Sequence, residues 1–331
     1  MQKNIFMSTL GLGNALVDVL LRLQNDAPLA EIGVVKGAMD MIDENQMHII
    51  QKMLSNLERS QAPGGSVCNT MRAIANLGGR SGFFGKIGTD ELGTYYEKTL
   101  AEAGVNPYFA KTDGISGCCT VMVSPDGERT MGTFLGPAPT LTPDDIKEDI
   151  ISQYDYVYIE GYLLVNEPLV RSTMEKAKKL GLKVALDLSN FNIVNAFRGF
   201  LDDIIPNYVD ILFSNENEAE AFTGLKPEKA IRRISEQVEV SLVTLGKEGS
   251  MIAGNGEIVK VPAEGGKPVD TTGAGDNFAA GFLYGQSAGA SLEQSGRIGS
   301  LLAGYVIDVI GAELPKDKWG QIKLKVEQIL S

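Results

Sequence analysis

Val269-Asp-Thr-Thr-Gly-Ala-Gly-Asp-Asn-Phe-Ala-Ala-Gly281 reads as a short extended piece, a glycine-rich turn and a helix opening at about Asp276. Gly273 and Gly275 carry no Cβ, so the turn can take backbone angles closed to other residues and a ligand can approach the main chain. The first N–H groups of a helix lack partners inside it and form a ready anion site, best suited to phosphate. Asp276, in the first helical turn, is stabilised as an anion and could accept a proton from a hydroxyl attacking phosphorus. An Asp that merely caps a helix after a glycine turn gives the same pattern. A second motif is needed to decide.

That motif is Pro63-Gly-Gly-Ser-Val-Cys-Asn-Thr70, another glycine turn with a helix over 67–76 behind it. Gly64 and Gly65 permit close backbone approach, and Asn69 projects an amide that both donates and accepts, which suits sugar hydroxyls. Two tempting motifs fail. Gly11 and Gly13 lack the third glycine of a dinucleotide fingerprint, and Lys86 has Arg80 and Ile87 where a P-loop requires glycine and Ser/Thr. Asp18 lies in an apolar segment, either meeting a polar partner or ligand hydroxyl, or facing solvent. Arg129 is either a surface strand residue or a charge facing a phosphate.

The 331 residues, 44% hydrophobic and 22% charged, can bury a large core. A formal net charge of -12 argues against nucleic acid or an anionic membrane as partner, since both need basic patches. An anionic substrate then needs local dipoles and a metal ion. Cys68, Cys118 and Cys119 form no disulfide framework, and His48 is the sole histidine, which speaks against His-ligated zinc or a Ser–His–Asp triad. Residues 1–12 lack an apolar run with a cleavage site and no stretch could span a bilayer, so a cytoplasmic protein is expected.

Along the chain, 31–41 reads as short extended pieces and 43–58 as an amphipathic helix containing His48. The stretch 105–134 reads as a β-meander, with Cys118 and Cys119 on opposite strand faces. Thr142-Pro-Asp-Asp reads as a helix start. Beyond it, short apolar strands alternate with amphipathic helices, and 250–261 reads as a hairpin around Gly254-Asn-Gly256. The alternation implies a mostly parallel sheet covered on both faces, with ligands at the carboxyl ends of strands, where Asp187, Asn215 and Thr244 fall. The glycines after Gly281 read as close helix packing.

Together the two glycine motifs, Gly64-Gly-Ser-Val-Cys-Asn69 through Gly93 and Asp270-Thr-Thr-Gly-Ala-Gly-Asp276, closely resemble the paired signatures of the ribokinase-like, phosphofructokinase-B-type carbohydrate kinases. Gly11-Leu-Gly-Asn-Ala-Leu-Val-Asp18, Tyr158-Ile-Glu-Gly-Tyr-Leu163 and Tyr208-Val-Asp-Ile-Leu-Phe-Ser-Asn-Glu-Asn-Glu218 look like the adenosine-kinase branch. Lys36-Gly-Ala-Met-Asp-Met-Ile42 looks like bacterial members of it. The resemblance implies a three-layer α/β/α domain over 1–331, with a small β-sheet lid from about 14–41 and 105–135. It implies ATP and Mg²⁺ as cofactors, with Asp276 as base and Gly273, Ala274 and Gly275 as the anion hole. Asn14, Asp18, Gly64, Gly65 and Asn69 would hold sugar hydroxyls, and Tyr162 would stack on a purine or else pack in the core. Asn215 and Glu218 match an N-x-x-E motif that organises Mg²⁺ through water. Thr244, Gly246 and Asp187 match positions near the nucleotide phosphates. Some members bind a monovalent cation such as K⁺, where Asp270 and Thr272 match.

The activity so implied is ATP-dependent phosphorylation of a primary ribose hydroxyl, first of all adenosine to AMP. A kinase of free ribose or fructose is the alternative, and a non-catalytic nucleoside or sugar sensor a third, disfavoured by the intact Asp276. Phosphoryl transfer with water excluded calls for a lid. The expected partners are the small-molecule substrates, with the protein a monomer or a lid-mediated homodimer.

Overall fold

Apolar runs too short for helices become strands buried on both faces, and the amphipathic segments between them close over the sheet. The computed structural model describes residues 7–54, 59–265 and 268–331. The first strands are β1 (Thr9–Leu12), β2 (Leu16–Arg22), β3 (Met39–Met41), β4 (Arg59–Gly64), β5 (Ser81–Gly88), β6 (Val105–Thr112), β7 (Gly117–Val123) and β8 (Arg129–Phe134). Then follow β9 (Tyr156–Glu160), β10 (Lys183–Asp187), β11 (Ile211–Asn215), β12 (Val240–Thr244), β13 (Ser250–Gly254) and β14 (Glu257–Val261). Helices α1 (Ala27–Ile32), α2 (Glu44–Leu54), α3 (Ser66–Leu77) and α4 (Glu91–Glu102) belong to the first part. After them come α5 (Glu148–Ile151), α6 (Glu167–Lys179), α7 (Phe191–Ala196), α8 (Arg198–Tyr208), α9 (Glu216–Thr223) and α10 (Pro227–Ser235). The chain closes with α11 (Ala274–Ser287), α12 (Leu292–Val306) and α13 (Trp319–Leu330).

One sheet runs β14-β13-β12-β11-β10-β9-β1-β5-β6, parallel from β12 to β6, with the β13–β14 hairpin antiparallel at its edge. Tyr156 and Tyr158 of β9 face a core shared with α3, α11, α12 and α13, whereas Val157 and Ile159 face one shared with α6, α8 and α10. That is the expected three-layer architecture. The hairpin turns at Asn255 and Gly256, both with positive φ. Helices α11 and α12 touch closely: a Cβ on Gly281 would lie 2.6 Å from the Ile298 carbonyl oxygen, and one on Gly285 2.8 Å from Ser295 Cα. The close packing expected of these glycines is what they do.

The second sheet runs β3-β8-β7-β2-β4. Its alternation is two-sided: Val17, Val19, Leu21, Cys118 and Met122 join a core with α1 and α2, while Asp18, Leu20, Cys119 and Met131 face a cavity. Cys118 and Cys119 thus stand on opposite faces, as their adjacency required.

The expected lid segments need redrawing. Val105–Thr112 pairs in parallel with β5 at the edge of the large sheet, not with the small one. Arg59–Gly64, in neither expected segment, pairs with β2 as an edge strand of the small sheet. Ala27–Ile32 is one helical turn and a half, stopped by Gly33 in the left-handed region, where an extended piece had been expected from Glu31 onward. Thr142 starts a turn rather than a helix, because the Asp145 carboxylate folds back to accept from Thr142 N (2.8 Å) and Oγ1 (2.9 Å). Residues 55–58 of the expected 43–58 helix lie outside the described residues.

Candidate active site

A cavity of about 1270 Å³ separates the carboxyl ends of the large sheet from the open face of the small one. The parallel strands deliver Asp187, Asn215 and Thr244 to it as their final residues. Asn14 follows β1, Glu160 ends β9, and the chain leaves β1 towards β5 while β9 lies on its other side, so the cavity opens at a topological switch point.

Helix α11 begins at Ala274, after Gly273 with φ +74°, and no side chain caps it. The N–H groups of Gly275 and Asp276 fall in a first turn that has no intrahelical acceptors. Asp276 is fixed by α3: Ser66 Oγ donates to its Oδ1 (2.7 Å) and Asn69 Nδ2 to its Oδ2 (2.8 Å). Enclosure raises the pKa of Asp276, and the two bonds pull the other way. The carboxylate is oriented, accessible only from the cavity, and next to free backbone donors. Such a group can take a proton from a hydroxyl whose attack builds charge at the helix terminus.

Across the cavity, burial pushes Asp18 up to about 6 against the opposing pull of Arg72. A Cβ on Gly64 would meet the Asp18 carboxylate at 2.3 Å, and one on Gly65 (φ +92°) the Asn14 carbonyl oxygen at 2.6 Å, so both positions are closed to side chains. Burial raises both Asp187 and Glu218, helped by repulsion from Asp276 on the first and from Asp187 on the second. Tyr158 donates from its hydroxyl to Asp187 (3.0 Å). Asn215 caps α9 in a reciprocal box, with Glu218 accepting from Asn215 N (2.7 Å) and Nδ2 (2.6 Å). Among the described residues no three His, Cys, Asp or Glu side chains converge as a metal cage. The donor set therefore suits Mg²⁺ held mainly by phosphates and water, which is how that ion is usually bound.

Tyr162 is 43% exposed and lines the cavity, so packing in the core is the reading that falls. Gly64, Gly273 and Ala274 shape the wall from behind, and Gly246 turns the chain beyond Thr244, away from the lining residues. Asp270 accepts from Thr272 N (3.0 Å), Thr272 Oγ1 (2.7 Å), Gly311 N (2.9 Å) and Arg129 Nη1 (3.2 Å). Those donors hold it well below the usual carboxylate range, burial notwithstanding. With both oxygens filled, Asp270 is a joint between the small sheet and the loop before α11 rather than an open cation site. Arg129 faces this joint and the cavity.

Three cavity residues escaped the sequence reading. Ser66 was hidden beside the glycines it follows. Arg72 donates to Pro63 O (3.2 Å) and pairs with Glu313 (2.6 Å), both invisible without the fold. Glu160, 2% exposed, accepts from Asn14 N (2.8 Å) and Nδ2 (2.6 Å). An acid closing the apolar run 156–159 was the available signal.

This fold and site define a ribokinase-like kinase. Residues 38–319 match the family model described as pfkB family carbohydrate kinase, and the chain belongs to that family. An adenosine kinase structure from Sinorhizobium meliloti is 34% identical with a TM-score of 0.82, covering 98% of this chain and 99% of that one. A probable sugar kinase structure from Rhizobium etli CFN 42 is 32% identical with a TM-score of 0.83, covering 98% of each chain. The adenosine kinase of Saccharomyces cerevisiae is 28% identical over 331 residues, 93% of this chain and 96% of its own length. The protein is thus an ATP-using phosphotransferase of the adenosine-kinase-like branch. No helix among the described residues is long and apolar enough to cross a membrane.

Proposed function

We propose that the protein transfers the γ-phosphoryl group of ATP to the primary hydroxyl of adenosine, giving AMP. The observation carrying this reading is the placement of Asp276, oriented by Ser66 and Asn69, across one cavity from Asp18, Asn14 and the open ring of Tyr162. Asn14, Asp18, Asn69 and the glycine backbone at 64–65 bind the ribose hydroxyls, and Tyr162 stacks on the purine. Asp276 takes the proton from the attacking hydroxyl, and the N–H groups of Gly273, Gly275 and Asp276 receive the negative charge that develops on the phosphoryl oxygens, the Ala274 N–H being held by Thr271 O (3.2 Å). Seven carboxylates line the cavity, and those of Asp270 and Glu313 are paired with Arg129 and Arg72, which leaves Asp18, Glu160, Asp187, Glu218 and Asp276. Mg²⁺ supplies the charge neutralisation a triphosphate needs there, with Asp187 and Glu218 placed to hold its water shell. Thr244 and Asn215 lie beside the nucleotide phosphates. Asp270, with four protein donors on its two oxygens, is not assigned a potassium ion. The small sheet acts as a lid that excludes water.

A free-sugar kinase would use the same groups and leave Tyr162 without a partner; its support is the likeness to the Rhizobium etli sugar kinase. ATP consumption with Mg²⁺ against adenosine, other nucleosides, ribose and fructose separates the two. Turnover confined to adenosine supports the proposal; turnover on a free sugar alone removes the nucleoside and keeps Asp276 as base. Silence across the panel removes the adenosine proposal and points to an untested alcohol or to a sensor.

A further inference from the structure

We propose that Glu160 is a positioning residue for the acceptor, acting through Asn14: its carboxylate locks the Asn14 amide so that only the amide oxygen is offered to the substrate. The inference rests on the reading of Asn14 as an acceptor-side residue.

Both groups sit at the switch point, 146 residues apart in sequence: Asn14 just past the end of β1 and Glu160 at the end of its parallel neighbour β9. Glu160 Oε1 takes two donors from Asn14, the main-chain N–H at 2.8 Å and Nδ2 at 2.6 Å. Glu160 Oε2 faces Val67 N at 3.4 Å, in the first turn of the helix that carries Ser66 and Asn69. A Cβ on Gly13 would lie 2.9 Å from Oε2, so a glycine makes room for this carboxylate. An ionised carboxylate only accepts, so the Asn14 NH₂ must turn towards it and Oδ1 away. Among the described residues no protein donor reaches Asn14 Oδ1, and Asn14 lines the cavity. Asn14 is therefore presented as an acceptor, matched to a substrate hydroxyl that donates.

A purely structural role does not explain an acid here. Burying a carboxylate is costly, and a neutral amide could bond Asn14 at less cost. The amide would also let Asn14 flip, because it offers both a donor and an acceptor. The ionisable groups facing Glu160 are Asp276 from α11, Tyr96 from α4 and Tyr162 from the turn after β9, none of them a cation. Burial accordingly pushes Glu160 up to about 7. As pH falls through that value Glu160 takes a proton, its hold on the amide weakens, and acceptor affinity drops.

The test is calorimetric binding of adenosine and of ribose to the full chain without ATP, from pH 8.5 to 6.5, alongside steady-state kinetics. For Glu160→Gln we expect acceptor affinity at pH 8 to fall about tenfold, with the KM for ATP within twofold and kcat reduced less than acceptor KM rises. The acid fall seen in the wild type should vanish in this variant. Asn14→Ala should lose a similar amount, and the double variant no more than Asn14→Ala alone. Additive losses, a retained acid fall in Glu160→Gln, or equal damage to the ATP side would each overturn the role of Glu160. A flat wild-type profile over the same range overturns it with no variant needed. Normal acceptor affinity in Asn14→Ala would remove Asn14 from the acceptor site and Glu160's role with it, leaving kinase activity in place. Absence of any turnover in the wild type would strike instead at the functional reading.

Discussion

The large sheet meets the cavity with its strand ends, and the small sheet meets it with a face. Asp187, Asn215 and Thr244 are terminal residues of strands whose other residues are buried on both sides, so each is fixed by a whole layer of packing. Asp18, Cys119 and Met131 alternate with core residues along strands backed on the other side by α1 and α2. The small sheet is tied to the rest by the turn at Gly64 and Gly65, by Tyr95 and Tyr96 of α4 donating to Gln61 O (2.8 Å) and Gly64 O (2.9 Å), by Arg72 on Pro63 O (3.2 Å) and by the Arg129–Asp270 pair. The contrast teaches a division of labour, with chemistry on the rigid side and acceptor binding and water exclusion on the side that is proposed to close.

The largest expected effect tests the rigid side. Asp276→Asn should lower kcat by roughly two orders of magnitude or more while adenosine still binds, as single-turnover kinetics and calorimetry would report. Near-normal turnover would break the comparison at its centre. The connection between the two regions comes next. Gly65→Ala places a Cβ against the Asn14 carbonyl at a φ that L-residues rarely adopt. We expect a loss of about 2 kcal/mol in chemical denaturation, from strain and clash together.

A third effect belongs to the small sheet and has a sign fixed by linkage. Asp18 binds its proton more firmly folded than unfolded, with a pKa raised from 3.8 to about 6. Its contribution to stability is therefore complete below about pH 4 and lost as pH rises to about 6. Asp18→Asn should be more stable than the wild type at pH 7, by about 1–2 kcal/mol after allowing for its partial exposure, and should flatten the profile between pH 4 and 6. The same variant should raise acceptor KM far more than it lowers kcat. A dominant kcat defect would blur the division between the sheets. The smallest effect concerns the base. Tyr162→Ala should weaken adenosine about fivefold and leave a free sugar unaffected, since stacking of this kind is worth about 1 kcal/mol.

Much of the rigid side was legible in the sequence, because its strands are apolar runs that stop at one polar residue and its glycine turns announce the helix starts. The small sheet was legible only in part. Arg-Ser-Gln-Ala-Pro-Gly of β4 has no apolar alternation and becomes a strand solely by pairing with β2 at an edge. Residues 105–112 adjoin a true hairpin, β7–β8, yet a parallel partner at β5 claims them, a choice made by tertiary contact. Asp276, Asn69, Asp18 and Asn14 do meet at one cavity, with Tyr162 at its wall. Glu160 and Arg72 went unread because each gets its meaning from a partner far along the chain: Asn14 and Glu313.

The glycine contact between α11 and α12 carries one more consequence. Two helices whose main chains meet at Gly281 and Gly299, and which the Gln286–Ser295 hydrogen bond (2.8 Å) also pins, have little room to roll or slide on one another. Helix α11 is thus a surveyor's datum, and its first turn stays put while other parts are measured against it. A methyl group added at Gly285 would be felt about 13 Å away at Asp276, through the helix rather than through the cavity. Fidelity of phosphoryl transfer in this molecule is partly stored in a place no substrate ever visits.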